Sequence, residues 1–277
     1  MRTVALPGGE RVPAFGMGTW RYGDDRARRA EEIATLRLGL DLGATLIDTA
    51  EMYGEGAAES LIGEAIEGRR DGVFLVSKVY PHNASCKGAP AACERSLKRL
   101  GTDRIDLYLL HWRGEVPLAE TVEAFERLRL EGKIRYWGVS NLDLADMTEL
   151  ESIAGAARVQ ANQLLYNLTR RGIEWDLLPW LRERRIPVMA YSPLEEGRLL
   201  RHHGLKAFGR KRGMTAAQAA LAWLLARDEV IVIPKTSGRS RLKENLGALD
   251  HALDADGLAE LDRMFPPPDG PRALEMI

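Results

Sequence analysis

The chain has 277 residues, with 39 Lys and Arg against 40 Asp and Glu, for a formal net charge of −1. That balance leaves no basic field to hold nucleic acid or an anionic membrane surface. At this length, with 45% hydrophobic residues and two cysteines, the chain can bury a large α/β core and is not a disulfide scaffold.

The opening MRTVALPGGE has no apolar stretch behind its charge, so it does not read as a secretory signal, and a cytoplasmic, reducing setting is expected. Residues 3–15, TVALPGGERVPAF, read as a hairpin of two short β-type runs around Pro-Gly-Gly. A repeating pattern follows. GMGTW (16–20) precedes a helical stretch from Arg28 to Leu42, and ATLIDT (44–49) one from Ala58 to Glu67. GVFLVSK (72–78) precedes Ala89 to Leu100, and RIDLYLLH (104–111) precedes Leu118 to Glu131. KIRYWGVSN (133–141) precedes Leu144 to Ile153, and ARVQANQ (157–163) precedes Ile173 to Arg184. IPVMAYS (186–192) leads through a longer loop to Thr215–Ala226, and VIVIPK (230–235) precedes Arg239–Leu249. His202 and His203 fall in that loop, among basic residues, and are expected to be exposed. The tail FPPPDGPRALEMI (265–277) reads as irregular chain against the barrel mouth.

The apolar runs are short, apolar on both faces and never adjacent, which is the pattern of a parallel sheet covered by helices. Eight such units in one chain predict a closed (β/α)8 TIM barrel, and no composition break divides residues 1–277, which are expected to form one domain. The longest apolar segment, residues 216–226, is too short to span a bilayer and is closed by Arg227 and Asp228. No apolar stripe is left over, so a monomer is expected. Cys86 and Cys93 lie seven apart in a helix-like stretch, stacked about two turns from each other, and read as reduced structural thiols rather than a disulfide or metal site.

Strand ends carry the chemistry. In a parallel barrel the C-terminal ends of the strands converge on one face. Asp48, Tyr53, Lys78 and His111 follow three successive runs and are predicted to meet there. A phenol has a pKa of roughly 10, and a nearby ammonium is expected to lower it. Lys78 is placed for that, Asp48 to hold Lys78, and His111 to orient a substrate oxygen. The set is suited to protonating a carbonyl oxygen as general acid. Singly, each residue has an ordinary structural role, such as a helix cap for Asp48; jointly they read as a site. Trp20, Tyr80 and Trp112, just past strand ends, read as walls of the substrate pocket.

Carbonyl reduction needs a hydride source. No Gly-x-Gly-x-x-Gly follows a strand, so an open dinucleotide-binding sheet is not indicated. Instead, IPKTSGRSRLKEN (233–245) places Lys235, Thr236, Ser237, Arg239 and Arg241 after the last strand and at a helix start, an anion site of the kind barrels build there. The cations favour NADP over NAD on electrostatic grounds.

In order and approximate spacing, DTAEMYG (48–54), the Lys of LVSK, LLHW (109–112), GVSN (138–141), ANQ (161–163), AYSPL (190–194) and IPKTSGRSRLKEN resemble the aldo-keto reductase family. SKVYPHNAS and NQLLYNLTRRGIEWDLLPW look most like its compact bacterial branch, which includes methylglyoxal reductases. The resemblance implies a barrel plugged at the bottom by the hairpin, and metal-independent reduction of aldehydes, small ketones or dicarbonyls with NADPH bound first. It implies Tyr53 as the acid, Lys78 and Asp48 as its tuners and His111 as the group that orients the carbonyl. Ser140, Asn141 and Gln163 are implied to hold the nicotinamide carboxamide and Tyr191 to stack on its ring. Ser192 and Leu194 are implied along the pyrophosphate, and Gly18, Thr19 and Trp20 beside the cofactor. Lys235, Thr236 and Arg241 are implied at the 2′-phosphate, with Ser237 also beside the cofactor, and Glu244 and Asn245 at the adenine. The loops HWRGEVPLAE and EEGRLLRHHGLKA and the tail are short for the family, which implies an open mouth and loose selectivity. Two other readings stay open: a Schiff-base aldolase with Lys78 as nucleophile, and a non-catalytic NADPH-binding sensor like the similar channel β-subunits.

Overall fold

Short runs rich in β-branched and aromatic residues supply strands that bury both faces. The computed structural model describes residues 2–277. The antiparallel hairpin of β1 (Thr3–Ala5) and β2 (Arg11–Pro13) comes first. β3 (Gly16–Gly18), β4 (Leu46–Asp48), β5 (Phe74–Val79), β6 (Ile105–Leu110), β7 (Ile134–Ser140), β8 (Val159–Leu165), β9 (Val188–Tyr191) and β10 (Val230–Val232) then pair in chain order as one parallel sheet. Bridges from Phe15 to Val232 and from Gly18 to Lys235 join its two edges, so the sheet closes into the predicted barrel. A Cβ on Gly18 would stand 2.7 Å from the Ile233 carbonyl oxygen, so this seam needs glycine.

The surrounding helices are α1 (Arg29–Asp41), α2 (Ala57–Ala65), α3 (Gly88–Leu100), α4 (Leu118–Leu130), α5 (Leu144–Glu151), α6 (Leu177–Glu183), α7 (His203–Lys211), α8 (Ala216–Leu225), α9 (Arg239–Leu246) and α10 (Ala255–Met264). Their starts are written locally. Asp143 caps α5, Asp254 caps α10, and Thr215 with Gln218 forms a capping box on α8. The hairpin turn meets residues that begin strands. The Gly8 N–H donates to Gln160 at 2.7 Å, and Arg135 joins Glu10 at 2.6 Å to Asp106 at 2.8 Å. The hairpin therefore covers the bottom of the barrel, opposite the strand ends that carry the chemistry.

The structure differs from the sequence expectations at four points. The segment read as a loop after β9 contains α7, whose start is capped by the His202 ring accepting from the Leu205 N–H at 3.1 Å, with Leu205 and Phe208 buried beneath it. Its basic composition and two glycines hid a short apolar face. α10, unread in the sequence, is built on an Asp254 cap and the buried Leu261. α6 begins at Leu177 rather than Ile173, because Asp176 turns its carboxylate onto the Leu177 N–H and starts the helix there. Cys86 also lies in the turn before α3, not on the helix with Cys93, and both thiols are free. No described helix is long and apolar enough to cross a membrane.

Candidate active site

β4 ends on Asp48, and the chain then makes a left-handed passage through Gly54 (φ 57°), Glu55 (φ 53°) and Gly56 (φ 91°) before α2. That passage presents Tyr53 to the centre. Lys78 comes from the penultimate position of β5, and His111 follows the last residue of β6. The four side chains do meet. Lys78 is fully buried, and its Nζ donates to Asp48 Oδ2 at 2.9 Å, to the Thr49 carbonyl at 2.7 Å and to the Tyr53 hydroxyl at 3.3 Å. The Tyr53 and His111 rings face edge-on at 5.9 Å. Asp48 is held from a second side by the Gln163 amide of β8 at 2.7 Å.

The fully occupied Nζ argues against Lys78 as a free amine nucleophile. Burial lowers the Lys78 pKa, opposed by the charge and hydrogen bond of Asp48. His111 is pushed well below 6.5, first by burial and then by the Lys78 charge, so its imidazole is neutral. Its Nδ1 has no partner among the described residues. One expectation is reversed: the Tyr53 phenol is raised well above 10, by burial first and by Asp48 next, instead of lowered by Lys78. Burial removes water from the phenolate, and the Asp48 carboxylate that fixes Lys78 also repels it.

Beside the tetrad lies the group of residues expected to hold a carboxamide. Ser140 donates to the Gln163 carbonyl at 2.9 Å. The Asn141 amide donates to the His111 carbonyl and to Ser140 Oγ, each at 3.1 Å, and accepts from the Tyr191 hydroxyl at 2.9 Å. Asn141 (φ 57°) and Ser192 (φ 48°) are both left-handed, which sharpens the turns after β7 and β9. Thr19 is tied by its hydroxyl to the Asp48 carbonyl at 2.8 Å. Leu194 is half-buried in the loop after β9.

A cation shelf sits past β10. Lys235 is half-buried there, its pKa lowered by burial and then by the Arg28 charge. Arg28, at the start of α1, donates to Ser237, and Tyr22 donates to the Thr236 carbonyl at 2.6 Å. Arg241 is exposed on α9, with Glu244 half-exposed and Asn245 buried further along. Arg239 is paired with Glu31 at 3.1 Å, whereas Lys235, Arg28 and Arg241 have no carboxylate within ion-pair distance among the described residues. The sequence reading missed Arg28 and Tyr22. A basic residue beginning a helix, some two hundred positions from its partner, gives no local signal.

Aromatic rings form a continuous arc along one side of the mouth. Trp20 contacts Tyr53 at 5.0 Å, His111 contacts Trp112 at 4.8 Å, Trp112 contacts Tyr80 at 5.9 Å, and Tyr80 stacks on His82 at 4.7 Å. The tail meets the mouth as expected, but not loosely. Arg170, in the loop after β8, pairs with Glu195 at 2.9 Å and also with Glu275 of the tail. The mouth is therefore strapped on that side, which the short loops did not suggest. No described group of His, Cys, Asp or Glu is arranged to hold a metal ion.

A profile of the Aldo/keto reductase family matches residues 14–265. The chain is 48% identical to methylglyoxal reductase YeaE of Escherichia coli strain K12, over 100% of this chain and 99% of that protein. It is 31% identical to methylglyoxal reductase DkgB of Escherichia coli O157:H7, over 91% and 93% of the two chains. Among solved structures, an aldo/keto reductase from Klebsiella pneumoniae in complex with NADP and acetate matches with a TM-score of 0.97 at 50% identity, over 99% of each chain. With the family profile matching residues 14–265 and 48% identity over the whole chain to a curated relative, the chain belongs to the Aldo/keto reductase family.

Proposed function

We propose that this chain is an NADPH-dependent reductase of aldehydes, small ketones or dicarbonyls such as methylglyoxal, with Tyr53 as general acid. One observation carries the reading: the buried line from Asp48 through Lys78 to the Tyr53 hydroxyl, with the neutral His111 ring beside it. The YeaE and DkgB similarities support a small dicarbonyl substrate, and the Klebsiella pneumoniae complex supports NADP. The donor set fits that cofactor, because Lys235 and Arg28 lie close to each other and neither is bound in an ion pair among the described residues.

When bound, NADPH supplies the hydride that reduces the carbonyl carbon. Ser140, Asn141 and Gln163 are the residues to hold its carboxamide, with Tyr191 against the ring and Ser192, Leu194, Gly18, Thr19 and Trp20 along its path. Lys235, Thr236, Ser237 and Arg241 are those to take the 2′-phosphate, and Glu244 and Asn245 the adenine. The protein's own residues do the proton chemistry. Tyr53 donates its hydroxyl proton to the substrate oxygen as negative charge develops there. The phenolate left behind faces the Lys78 ammonium, which Asp48 and the Thr49 carbonyl hold in place. This contact strengthens as the proton leaves, so it favours the transition state over the ground state. His111, kept neutral, donates a hydrogen bond that orients the oxygen without competing for the proton. The work is carried out by one barrel unit, in the cytoplasm.

The test is loss of nicotinamide absorbance with methylglyoxal, a nitrobenzaldehyde and a simple aliphatic ketone, using NADPH and NADH in parallel. Turnover of the aldehydes with NADPH, and much weaker turnover with NADH, is expected. No turnover of any carbonyl, with NADPH still bound, would replace this reading with the sensor.

A further inference from the structure

Glu51 lies between Asp48 and Tyr53 in the chain but belongs to neither the tetrad nor the shelf. It is a buried carboxylate, 7% exposed, on the loop after β4. Its bonds all run to the next segment. Its backbone N–H donates to the Lys78 carbonyl at 3.3 Å. Its Oε1 accepts from the Tyr80 N–H at 2.8 Å and from the Asn83 side-chain amide at 3.1 Å. Its Oε2 faces Arg95 of α3 at 3.5 Å. The loop that carries Tyr53 is thus bonded by this one side chain to the loop that carries Tyr80.

Tyr80 stands near the outer end of the aromatic arc, which finishes on His82. Its ring meets Trp112 edge-on and stacks on His82, and Trp112 adjoins His111. From a carbonyl seated at Tyr53 and His111, the arc leads over Trp112 to Tyr80, so a flat apolar substituent has this run of rings to pack on and a compact carbonyl does not use its outer part. The position of Tyr80 relative to Tyr53 therefore decides how an extended substrate packs, and the buried hydrogen bonds of Glu51 fix that position.

We infer that Glu51 is a positioning residue that sets substrate selectivity: by bonding the Tyr80 loop to the Tyr53 loop, it favours carbonyls with an aromatic or extended apolar substituent over compact ones. This rests on Tyr53 and His111 being the carbonyl site. Arg95, half-exposed, neutralises the far oxygen and is not needed for the placement.

The experiment compares Glu51→Ala, Glu51→Gln and Tyr80→Ala for KM and kcat with methylglyoxal and with a nitrobenzaldehyde. Glu51→Ala should raise KM for the nitrobenzaldehyde about five- to tenfold, with kcat and all methylglyoxal constants within about twofold. Glu51→Gln, whose amide oxygen still accepts from Tyr80 and Asn83, should restore most of the loss. Tyr80→Ala should likewise raise KM for the nitrobenzaldehyde, and combining it with Glu51→Ala should add little to that rise. Equal losses on both substrates, a fall confined to kcat, or additive effects of the two truncations would each overturn the inference. If Glu51→Ala does not fold, Tyr80→Ala decides: an unchanged preference between the two aldehydes refutes the role. Failure of the underlying reading looks different, since the unmodified protein would then reduce neither aldehyde.

Discussion

The tetrad, after β4 to β6, and the cation shelf, after β10, share one barrel mouth and are built on opposite rules. In the tetrad the one full positive charge is buried and paired: Lys78 has a carboxylate, a carbonyl and a phenol on its three N–H bonds. On the shelf, Lys235 lies in the field of Arg28 and Arg21, opposed by Glu32 and Asp24, and Lys235, Arg28 and Arg241 form no ion pair among the described residues, although acidic residues are as common in the chain as basic ones. A reacting centre gains from being organised before substrate arrives, since nothing then has to reorient as charge moves. A site for a mobile anion gains from incompleteness, because the incoming charge relieves a repulsion already present.

The sharpest way to break the contrast is at Tyr53. Tyr53→Phe should lower kcat by about 10² to 10⁴, with the NADPH Kd within about twofold by fluorescence titration. A variant that keeps turning over would remove the acid role. Next in size is Asp48→Asn, which leaves the Lys78 ammonium buried without its counter-charge. It should cost roughly 3–5 kcal/mol in denaturant melts. Adding Lys78→Met should recover part of that loss. A loss that simply grows in the double variant would mean that packing, not charge pairing, holds this corner.

These two experiments probe what the sequence made legible. Barrel strands were readable because each is apolar on both faces and followed by a helix, and the tetrad was readable because barrel topology brings strand ends together whatever lies between them. What escaped depended on distant or weak signals. α7 and α10 each bury only a few side chains, such as Leu205 and Phe208 or Leu261, within polar stretches. The direction of the Tyr53 shift depended on how deeply Asp48 and Tyr53 are buried together, which spacing alone does not give. Arg28 reaches Ser237 across the seam between β3 and β10, a contact set by closure of the barrel.

On the shelf the expected effects are smaller. Lys235→Met or Arg241→Met should each weaken NADPH binding about tenfold, roughly 1.4 kcal/mol, while leaving NADH nearly unchanged. Equal weakening of both cofactors would move these cations from the 2′-phosphate to the pyrophosphate. The tetrad also has a pH signature of its own. The His111 pKa lies well below 6.5 in the folded chain, so below that pH the unfolded chain binds the extra proton. The stability that depends on a neutral His111 is present above about 6.5 and is lost as pH falls, at up to about 1.4 kcal/mol per pH unit. Thermal melts of the wild type and His111→Asn should therefore converge as acid is added. Parallel curves would show that the ring is not held neutral.

The smallest effect should come from the residue that sequence alone groups with the others. Arg239 stands between Ser237 and Arg241 and looks like a third phosphate ligand, yet its side chain is 57% exposed and bonded to Glu31. An exposed pair of this kind contributes about 0.2–1 kcal/mol to stability and leaves the guanidinium turned to its partner. Arg239→Ala should therefore change the NADPH Kd less than about twofold. Arg28→Ala, although far away in sequence, should weaken NADPH and spare NADH, because that side chain has no acid to hold it and touches Ser237. If the ranking is reversed, Glu31 must release Arg239 when the anion arrives, and the shelf would then be organised by its ligand rather than in advance of it.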